Sequence, residues 1–365
     1  MKNVKAVFET NAAHTRFQET PRYAEGLYDL GHQVYAWLVP NGAWGESNTG
    51  LIVGKQASLL IDTQWDVRFT RQMLTAMEPL TGAAPITRLV NTHADGDHFW
   101  GNQLVAASEI IASAATAEEM HDTKPLKMIM FGLLGKALST LRVWGAGKAG
   151  HWFQGMIKPY HFREVQVTLP TRTFSGRLTL DLEGRAIELM EVGPAHTRGD
   201  TLVYIPDAKT LFAGDILFIG STPVMWAGPV ENWLAALDKI LMLDVDTIIP
   251  GHGPATDKDG VRAVKAYWGY VDQQVSERYR QGLSPRQATY DIVFRGDFAR
   301  QPFAQWNSPE RIMTNTHILY RHIKGRTSHL KLPELIATLW QQALLAHDLP
   351  QAQPAVMRAI TKSTP

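Results

Sequence analysis

The sequence predicts an α+β fold in which two β-sheets pack face to face and helices cover their outer faces. Two observations support this prediction. Twice along the 365-residue chain, short apolar segments with the spacing of strands are followed by a helical segment and then by a further strand. The composition, with 45% hydrophobic and 19% charged residues, allows the chain to bury a large core. We therefore expect two similar halves, each with strands first and a helix afterwards.

The first half begins with short apolar segments separated by glycine-containing turns, which is typical of a β-meander. These strands are predicted at residues 33–39, 49–53 and 58–62. A helix is predicted over residues 66–80, because Phe69, Met73 and Met77 recur at helical spacing. The strand predicted at residues 86–90 ends in a polar cluster.

The centre of the chain does not repeat this pattern. A short strand at 108–111 precedes a helix at 113–120, for which Ser113 is the expected N-cap. Residues 123–163 then contain seven Lys or Arg residues, many apolar residues and no acidic residue. Such a segment is typical of a lid over an apolar pocket, of a membrane-surface contact, or of a helical pair packed on its own domain or on a second copy.

The second half repeats the order of the first and is followed by helices. Its strands are predicted at residues 172–180, 186–192, 201–205, 210–213 and 246–249, with a helix at 231–243. Further helices are predicted at residues 261–279, 284–293, 308–323 and 332–345. We expect a catalytic domain of residues 1–257, including a helical insert at 113–163, and a helical C-terminal extension of residues 258–365.

Charge and cysteine content exclude several classes of function. Lys and Arg number 36 and Asp and Glu number 35, so the balanced charge argues against a nucleic-acid partner. The chain has no cysteine, which leaves histidine and carboxylate side chains as the ligands of any metal. It lacks an apolar signal-peptide core and any apolar run of about 18 residues. We expect a cytoplasmic protein without an integral membrane segment.

Potential metal ligands cluster at the ends of predicted strands. The candidates are His93, Asp95, Asp97 and His98, followed much later by His196, Asp215 and His252. Glycines near these positions allow the backbone to approach closely. Nitrogen and oxygen donors concentrated in this way suit a two-metal site.

These motifs resemble those of the metallo-β-lactamase-fold hydrolase superfamily, whose members include glyoxalase II, lactonases and alkylsulfatases. The resemblance runs from about residue 34 to residue 257. It is carried by Leu59-Leu60-Ile61-Asp62-Thr63, Thr92-His93-Ala94-Asp95-Gly96-Asp97-His98, Ala195-His196-Thr197-Arg198-Gly199-Asp200, Phe212-Ala213-Gly214-Asp215 and Ile249-Pro250-Gly251-His252-Gly253. It implies a four-layer αβ/βα sandwich, with the metals at the sheet edge between the halves.

The resemblance also implies a role for each candidate ligand. His93 and His196 would bind the first metal, while the second metal would be bound by Asp97, His98 and His252. Asp215 would bridge the two metals. The family's usual string is H-x-H-x-D-H, and here Asp95 replaces the second histidine. Flavodiiron proteins carry a glutamate at this position, so we predict Asp95 as a ligand; the alternative is that it faces solvent.

The cofactor expected from the resemblance is a pair of divalent metal ions, with zinc as the first expectation. Asp95 would add a carboxylate to the first site, and oxygen-rich ligation shifts preference toward iron or manganese. A more electron-rich site would also raise the pKa of bound water above the value of about 7 typical of strong zinc hydrolases.

The expected activity is hydrolysis by a metal-bridging hydroxide. The substrate would be a small ester, thioester, lactone or amide with an apolar portion, and Asp97 would handle the proton. Asp62 is predicted to accept a hydrogen bond from a ligating imidazole, or else to be only a turn former. Trp144 and Phe153 are predicted to contact substrate.

Two alternative functions compete with this interpretation. Asp95 also suits a di-iron oxygen-using oxidoreductase on the same fold, although the chain has no recognisable flavodoxin-like domain. The other alternative is a non-catalytic metal-binding protein. As partners we expect a small-molecule substrate and a homo-oligomer formed through residues 123–163.

Overall fold

Two β-sheets form the centre of the structure, a computed structural model that describes residues 4–107, 109–141, 145–328 and 330–349. The first sheet has eight strands, and their spatial order is their chain order. They are β1 (Lys5–Glu9), β2 (Gly26–Asp29), β3 (Val34–Leu38), β4 (Thr49–Val53), β5 (Ser58–Ile61), β6 (Ile86–Val90), β7 (Glu109–Ser113) and β8 (Arg172–Phe174). Neighbouring strands from β1 to β5 pair antiparallel, and those from β5 to β8 pair parallel.

The second sheet has five strands in the spatial order β13-β12-β11-β10-β9. They are β9 (Arg177–Leu182), β10 (Arg185–Glu191), β11 (Thr201–Ile205), β12 (Thr210–Phe212) and β13 (Thr247–Ile249). Only the pair formed by β12 and β13 is parallel. The mixed pairing in both sheets brings several loops that follow strands to one common edge.

Ten α-helices accompany the two sheets within the described residues. They are α1 (Val67–Thr81), α2 (Gly96–Phe99), α3 (Ala114–Met120), α4 (Pro125–Ser139), α5 (Ala146–Ile157), α6 (Val230–Met242), α7 (Lys258–Arg280), α8 (Pro285–Tyr290), α9 (Ile312–Ile323) and α10 (Leu332–Asp348). The predicted N-cap of α3 is confirmed, because Ser113 accepts a hydrogen bond from the amide of Thr116. None of the helices in the described ranges combines the length and apolar character needed to cross a bilayer.

The core is divided into layers by the alternating sides of the strands. In β3, Val34 and Leu38 pack between the two sheets, whereas Trp37 packs on the opposite side with Met73 of α1. The outer side of the second sheet packs against α6, α7 and α9. The order helix, sheet, sheet, helix confirms the predicted four-layer αβ/βα sandwich.

Several elements differ from the predicted ones. The strand predicted at 172–180 is two strands in different sheets, because Gly176 takes a φ of +71° and turns the chain between them. The strands β1 and β2 were not predicted. The helix predicted at 284–293 ends at Tyr290 and continues as a π-helical turn over Asp291–Arg295. Of the predicted strand at 108–111, Ser108 lies outside the described residues.

The helices of the insert and of the C-terminal extension pack on each other. Phe131 of α4, Trp152 of α5 and Leu339 of α10 belong to one buried apolar cluster. The two insert helices approach closely, since a Cβ added at Gly135 would lie 3.0 Å from the carbonyl oxygen of Gly150. Segments that are distant in sequence therefore form one helical layer beside the sandwich. The proposed boundary between residues 257 and 258 stays a prediction.

Candidate metal centre

The candidate ligands meet at one edge of the two sheets. His93 follows β6, and Asp97 and His98 lie in the short helix α2 just beyond it. From the second sheet, His196 lies in the loop after β10, Asp215 follows β12, and His252 follows β13. All six of these side chains are buried. Both halves of the sandwich therefore contribute to the same site.

Among the described residues, the potential ligand atoms form three groups, of which two contain the seven candidate ligands and the third joins Asp62 to His93 and His98. In each group one nitrogen or oxygen atom per residue lies within 4.8 Å of all the others. The first group comprises His93, Asp95, His196 and Asp215, and the second comprises Asp97, His98 and His252. The structure thus brings together all seven residues predicted as metal ligands, Asp95 among them.

Asp215 lies between the two groups. Its Oδ2 is 3.3 Å from Nε2 of His196, 3.7 Å from Nε2 of His93 and 3.4 Å from Nε2 of His252. Its Oδ1 is 3.2 Å from Nε2 of His98. One carboxylate therefore faces histidines of both groups, which is the placement needed to bridge two cations.

The polar atoms at the centre of this cluster are unsatisfied. Nε2 of His93, Nε2 of His98 and Oδ1 of Asp215 are buried without a hydrogen-bond partner. Buried polar atoms are normally paired, because leaving one unpaired costs about 1–3 kcal/mol. Imidazole nitrogens and a carboxylate oxygen that converge without donors suit a cation, so the residues present fit a metal pair.

The electrostatics of the cluster favour the same interpretation. Burial alone would raise the pKa of Asp215, but the surrounding histidines hold that pKa well below its usual range. Burial, aided by the nearby His98, keeps the pKa of His93 well below its ordinary value. At neutral pH these two side chains are thus an ionised carboxylate and a neutral imidazole, the forms in which they bind metals.

His196 responds to the concentration of negative charge. Burial lowers the pKa of its imidazole, but Asp215 and Asp95 outweigh that effect and raise the pKa to about 10. Its Nδ1 donates a 2.7 Å hydrogen bond to the carbonyl oxygen of Val224, which directs Nε2 toward the two carboxylates. A cation at this position would replace the proton that the carboxylates otherwise favour on Nε2.

A buried hydrogen-bond network orients His93 and His98. Nδ1 of His98 lies 3.0 Å from Oδ2 of Asp62, and the amide and hydroxyl of Thr92 donate to the two Asp62 oxygens. Because the Thr92 hydroxyl gives its proton to Asp62, its oxygen accepts from Nδ1 of His93, 2.9 Å away. Nδ1 of each imidazole is thus held by a hydrogen bond, which directs Nε2 of each ring toward the candidate metal positions.

Asp62 has an unusual backbone conformation as well as this position in the network. Its φ is +61°, in the left-handed region that non-glycine residues rarely adopt. Strain of this kind is tolerated where the surrounding structure requires a particular geometry. Asp62 is thus held in place as a hydrogen-bond acceptor for the imidazole of His98, a candidate ligand.

Asp95 is held by a residue that sequence reasoning missed. Trp226 donates a 3.0 Å hydrogen bond from its indole nitrogen to Oδ2 of Asp95, and the same oxygen lies 3.1 Å from Nε2 of His196. Nothing in the sequence connects position 226 to position 95, since no motif or regular spacing links them. The Asp95 side chain is 34% exposed, so it joins the buried cluster to the adjoining cavity.

The cluster of candidate ligands opens into a cavity of about 220 Å³ with mainly apolar walls. Trp65, Trp100, Phe218 and Trp226 come from loops of the sandwich, whereas Met128, Phe131, Met156, Leu335 and Leu339 come from α4, α5 and α10. Asp97, Asp215 and His252 line its metal end. Lys124 and Lys127 also line it, so basic residues of the insert lie beside the apolar ones.

Phe153, one of the two residues predicted to contact substrate, does not line the cavity. Phe153 is fully buried behind the cavity wall, where its ring stacks on Phe131 at a centroid distance of 5.4 Å. Phe131, rather than Phe153, faces the cavity, because the inner side of α5 packs against α4. Trp144 lies outside the described residues. Trp44, from the loop after β3, is a further aromatic residue of the cavity.

Similarity to known proteins extends over most of the chain. It is 25% identical over 225 residues to the 2,4-dinitroanisole O-demethylase subunit alpha of Nocardioides sp. (strain JS1661), covering 59% of this chain and 54% of that protein. It is 22% identical over 260 residues to the linear primary-alkylsulfatase of Pseudomonas sp. (strain ATCC 19151), covering 64% and 48%. The chain therefore spans about half the length of these two relatives.

Comparison with solved structures supports the fold, and a family pattern identifies the superfamily. The stereoselective inverting sec-alkylsulfatase Pisa1 from Pseudomonas sp. matches with a TM-score of 0.63 and 16% identity, over 84% of this chain and 51% of that one. The pattern of the Metallo-beta-lactamase superfamily matches residues 42–252, more than half of the chain, and this range contains all seven candidate ligands. The chain belongs to the metallo-beta-lactamase superfamily.

Proposed function

We propose that the chain is a binuclear metal-dependent hydrolase acting on a small ester, thioester, lactone or amide with an apolar portion. The observation that carries the proposal is the position of Asp215 between two groups of ligand atoms, at one end of an apolar cavity. Membership of a superfamily with hydrolase relatives supports the reaction class. Cytoplasmic location stays a prediction.

The ligand assignment follows the two groups. The first metal would be held by His93, Asp95 and His196, the second by Asp97, His98 and His252, with Asp215 shared. When bound, such ions lower the pKa of water and polarise the bond to be cleaved. Asp62, Thr92 and Val224 fix the imidazoles that would hold them.

Asp97 is the residue that we propose to hold and move the proton. Its Oδ2 lies 3.3 Å from Nε2 of His252, and its side chain lines the cavity. Burial raises the pKa of Asp97, but His98 and His252 outweigh burial and lower it overall. An ionised carboxylate at the metal end can accept a proton from water and return it to a leaving group.

The cavity walls support the proposed substrate. Trp65, Trp100 and Phe131 present aromatic surface, and Met128 adds an adaptable thioether side chain. Walls of this kind exclude water and bind the apolar part of a small molecule beside the metal end. We therefore propose that α4 governs substrate choice and that the ligand residues determine the chemistry. The predicted homo-oligomer contact would lie on the exposed side of the same helix.

One observation favours a second candidate function. The first group contains two carboxylates, Asp95 and Asp215, beside its two histidines. Oxygen-rich ligation suits iron or manganese better than zinc, so a di-iron oxygen-using oxidoreductase is the alternative. Metal analysis of natively purified protein distinguishes the two. Zinc or manganese supports the hydrolase, whereas iron with a charge-transfer absorption band supports oxidation chemistry.

The proposal is tested by screening metal-reconstituted protein against an ester, a thioester, a lactone, an amide and a sulfate ester, each with an apolar group. We expect metal-dependent hydrolysis of at least one compound. Asp215→Asn is the matched control, because it preserves size while removing the shared charge, and it should abolish turnover. Equal turnover by wild type and by Asp215→Asn would reject the proposal, as would the absence of turnover on the whole panel.

A further inference from the structure

Arg311 is a buried cation beside the metal cluster that the proposed reaction does not use. It directly precedes α9, is 1% exposed, and lines the same cavity as Asp97, Asp215 and His252. Its guanidinium carbon lies 4.3 Å from the centre of the Trp44 ring. A charged side chain at such a depth needs a partner, because burying an uncompensated charge is costly.

The contacts of Arg311 hold the guanidinium without neutralising it. Nη1 donates to the carbonyl oxygen of Thr222 at 2.8 Å and to the hydroxyl of Ser221 at 3.3 Å. Nε is buried and has no hydrogen-bond partner. Within the described part of the chain, no carboxylate oxygen lies within 4.0 Å of this guanidinium. Nη1 is anchored by these two bonds, whereas the edge formed by Nε and Nη2 has no hydrogen-bond partner among the described residues.

The nearest acidic residues among those described form no direct ion pair with Arg311. Burial raises the pKa of Glu310 to about 7, so this neighbouring carboxyl group is only partly ionised near neutral pH. Asp97 and Asp215 are directed toward histidines of the metal cluster. Both carboxylates attract the Arg311 guanidinium electrostatically, but Arg311 bonds only to Ser221 and Thr222 among the described residues, and its Nε stays without a partner. This nitrogen is therefore available to an anion from outside the protein.

We propose that Arg311 binds an anionic group of the substrate, so that the substrate is an amphiphilic anion with an apolar portion and a carboxylate, sulfonate, sulfate or phosphate group. The free Nε and Nη2 edge is a planar fork that matches two oxygens of such a group. The apolar portion would lie along Met128, Phe131 and Leu339. Lys124 and Lys127 line the same cavity and favour the entry of an anion.

This inference rests on the proposed function, in which the cavity is the substrate site, but it can be tested without turnover. The probe is sodium octanesulfonate, which has an eight-carbon chain, an anionic head and no hydrolysable ester. 1-Octanol has the same chain without the charge, and octanoate distinguishes a carboxylate from a tetrahedral anion. Titration calorimetry on the purified metal-containing protein, below micelle concentrations, gives the three affinities.

For wild type, we expect octanesulfonate or octanoate to bind at least about tenfold more tightly than octanol. Arg311→Gln should remove that preference while leaving the affinity for octanol unchanged. Arg311→Lys should retain part of it, because the charge remains but the fork is lost. The matched control is Arg262→Gln, an exposed arginine on α7 paired with Asp259, which should behave as wild type.

Two results would overturn the inference. Equal affinity of wild type for the anions and for octanol shows that no anion site exists, and this comparison does not depend on the folding of any variant. An anion preference that persists in Arg311→Gln assigns the anion to the metals instead. The hydrolase proposal can fail separately. If the protein is inactive on the substrate panel but binds anions in an Arg311-dependent way, the hydrolase proposal is rejected and the anion site is retained.

Discussion

The indole nitrogen of Trp226 donates a 3.0 Å hydrogen bond to Oδ2 of Asp95. The same carboxylate oxygen lies 3.1 Å from Nε2 of His196, within the first group of candidate ligands. A carboxylate turned toward solvent would make neither contact. Trp226 therefore fixes Asp95 toward the first group, so metal preference at the first site should depend on Asp95 and metal affinity there should depend on Trp226.

Replacing Asp95 by histidine should increase the preference for zinc and shift the activity profile to lower pH. The reason is that the first site loses a negative charge, which lowers the pKa of bound water. The measurements are metal content after loading with equimolar zinc, iron and manganese, and kcat/KM against pH. Trp226→Phe is the companion variant, because it keeps the Asp95 carboxylate but removes its hydrogen bond. It should keep the wild-type metal preference and bind the metal more weakly. An unchanged preference in Asp95→His would show that Asp95 is not a ligand.

Asp62→Asn should weaken metal binding by about 10–100-fold, which is typical when a hydrogen-bond partner of a ligating histidine is lost. Asparagine tolerates the positive φ of this position, so the backbone strain is unchanged and the effect isolates the charged acceptor of the His98 proton. Competition with a chelator measures the affinity. Thr289→Ser, at a buried polar position in α8, serves as the control and should bind metal as wild type does. Wild-type affinity in Asp62→Asn would make Asp62 a turn former only.

His98→Ala and His252→Ala should each empty mainly the second metal site. Each variant loses one of the three residues that serve the second site alone, while the first group retains its four residues. Metal analysis should therefore fall from two ions toward one per chain, and activity should be lost. His14→Ala removes an exposed histidine and should leave both quantities unchanged. Full metal content and activity in both ligand variants would refute the assignment.

The sequence could predict the ligand cluster because each ligand lies in a short motif directly after a strand. Met73 and Met77 likewise revealed α1 through local spacing. β1 could not be found in this way, because all five of its residues are exposed and no alternation marks it. Trp226 and Arg311 carry no local signal either. They reach the site only because the loop after β12 and the start of α9 fold back over the metal end.

The cavity wall illustrates the same limit. The sequence identified residues 123–163 as an apolar segment that could cover the cleft, and α4 and α5 do contribute to its walls. It could not show that α10 completes the wall, since Phe131 and Leu339 belong to one apolar cluster but lie about two hundred residues apart in the chain. Nor could it show which aromatic residue faces inward, because that depends on how α4 and α5 pack.

Glu46 should make the protein less stable as pH rises. Its side chain is fully buried, and burial raises its pKa from 4.5 to about 8. Below pH 4.5 the folded and unfolded states are both protonated. Between pH 4.5 and about 8 only the folded state keeps the proton, so the free energy of unfolding falls as pH rises through this window. At about 1.4 kcal/mol per pKa unit, the loss amounts to several kcal/mol.

Glu46→Gln should remove this part of the pH dependence, since glutamine does not ionise. Urea unfolding of wild type and variant at pH 5, 7 and 8.5 measures the difference between them. We expect the variant to gain stability relative to wild type as pH increases. Glu9→Gln, at an exposed position on β1, should show no such trend. A constant difference across the three pH values would contradict the raised pKa.

The two sides of α4 should serve different purposes and can be tested separately. Phe131 faces the cavity, whereas Leu126, Met130 and Leu133 are exposed by 61%, 58% and 63%. For substrates with bulky apolar groups, Phe131→Ala should lower kcat/KM by a factor that corresponds to roughly 1–3 kcal/mol of lost transition-state stabilisation. The kcat/KM for small esters should change little. Leu133→Ser should leave both substrates unaffected but reduce the mass measured by light scattering, if copies associate through this side. Equal losses on large and small substrates in Phe131→Ala would reject the substrate role, and an unchanged mass in Leu133→Ser would reject the homo-oligomer contact.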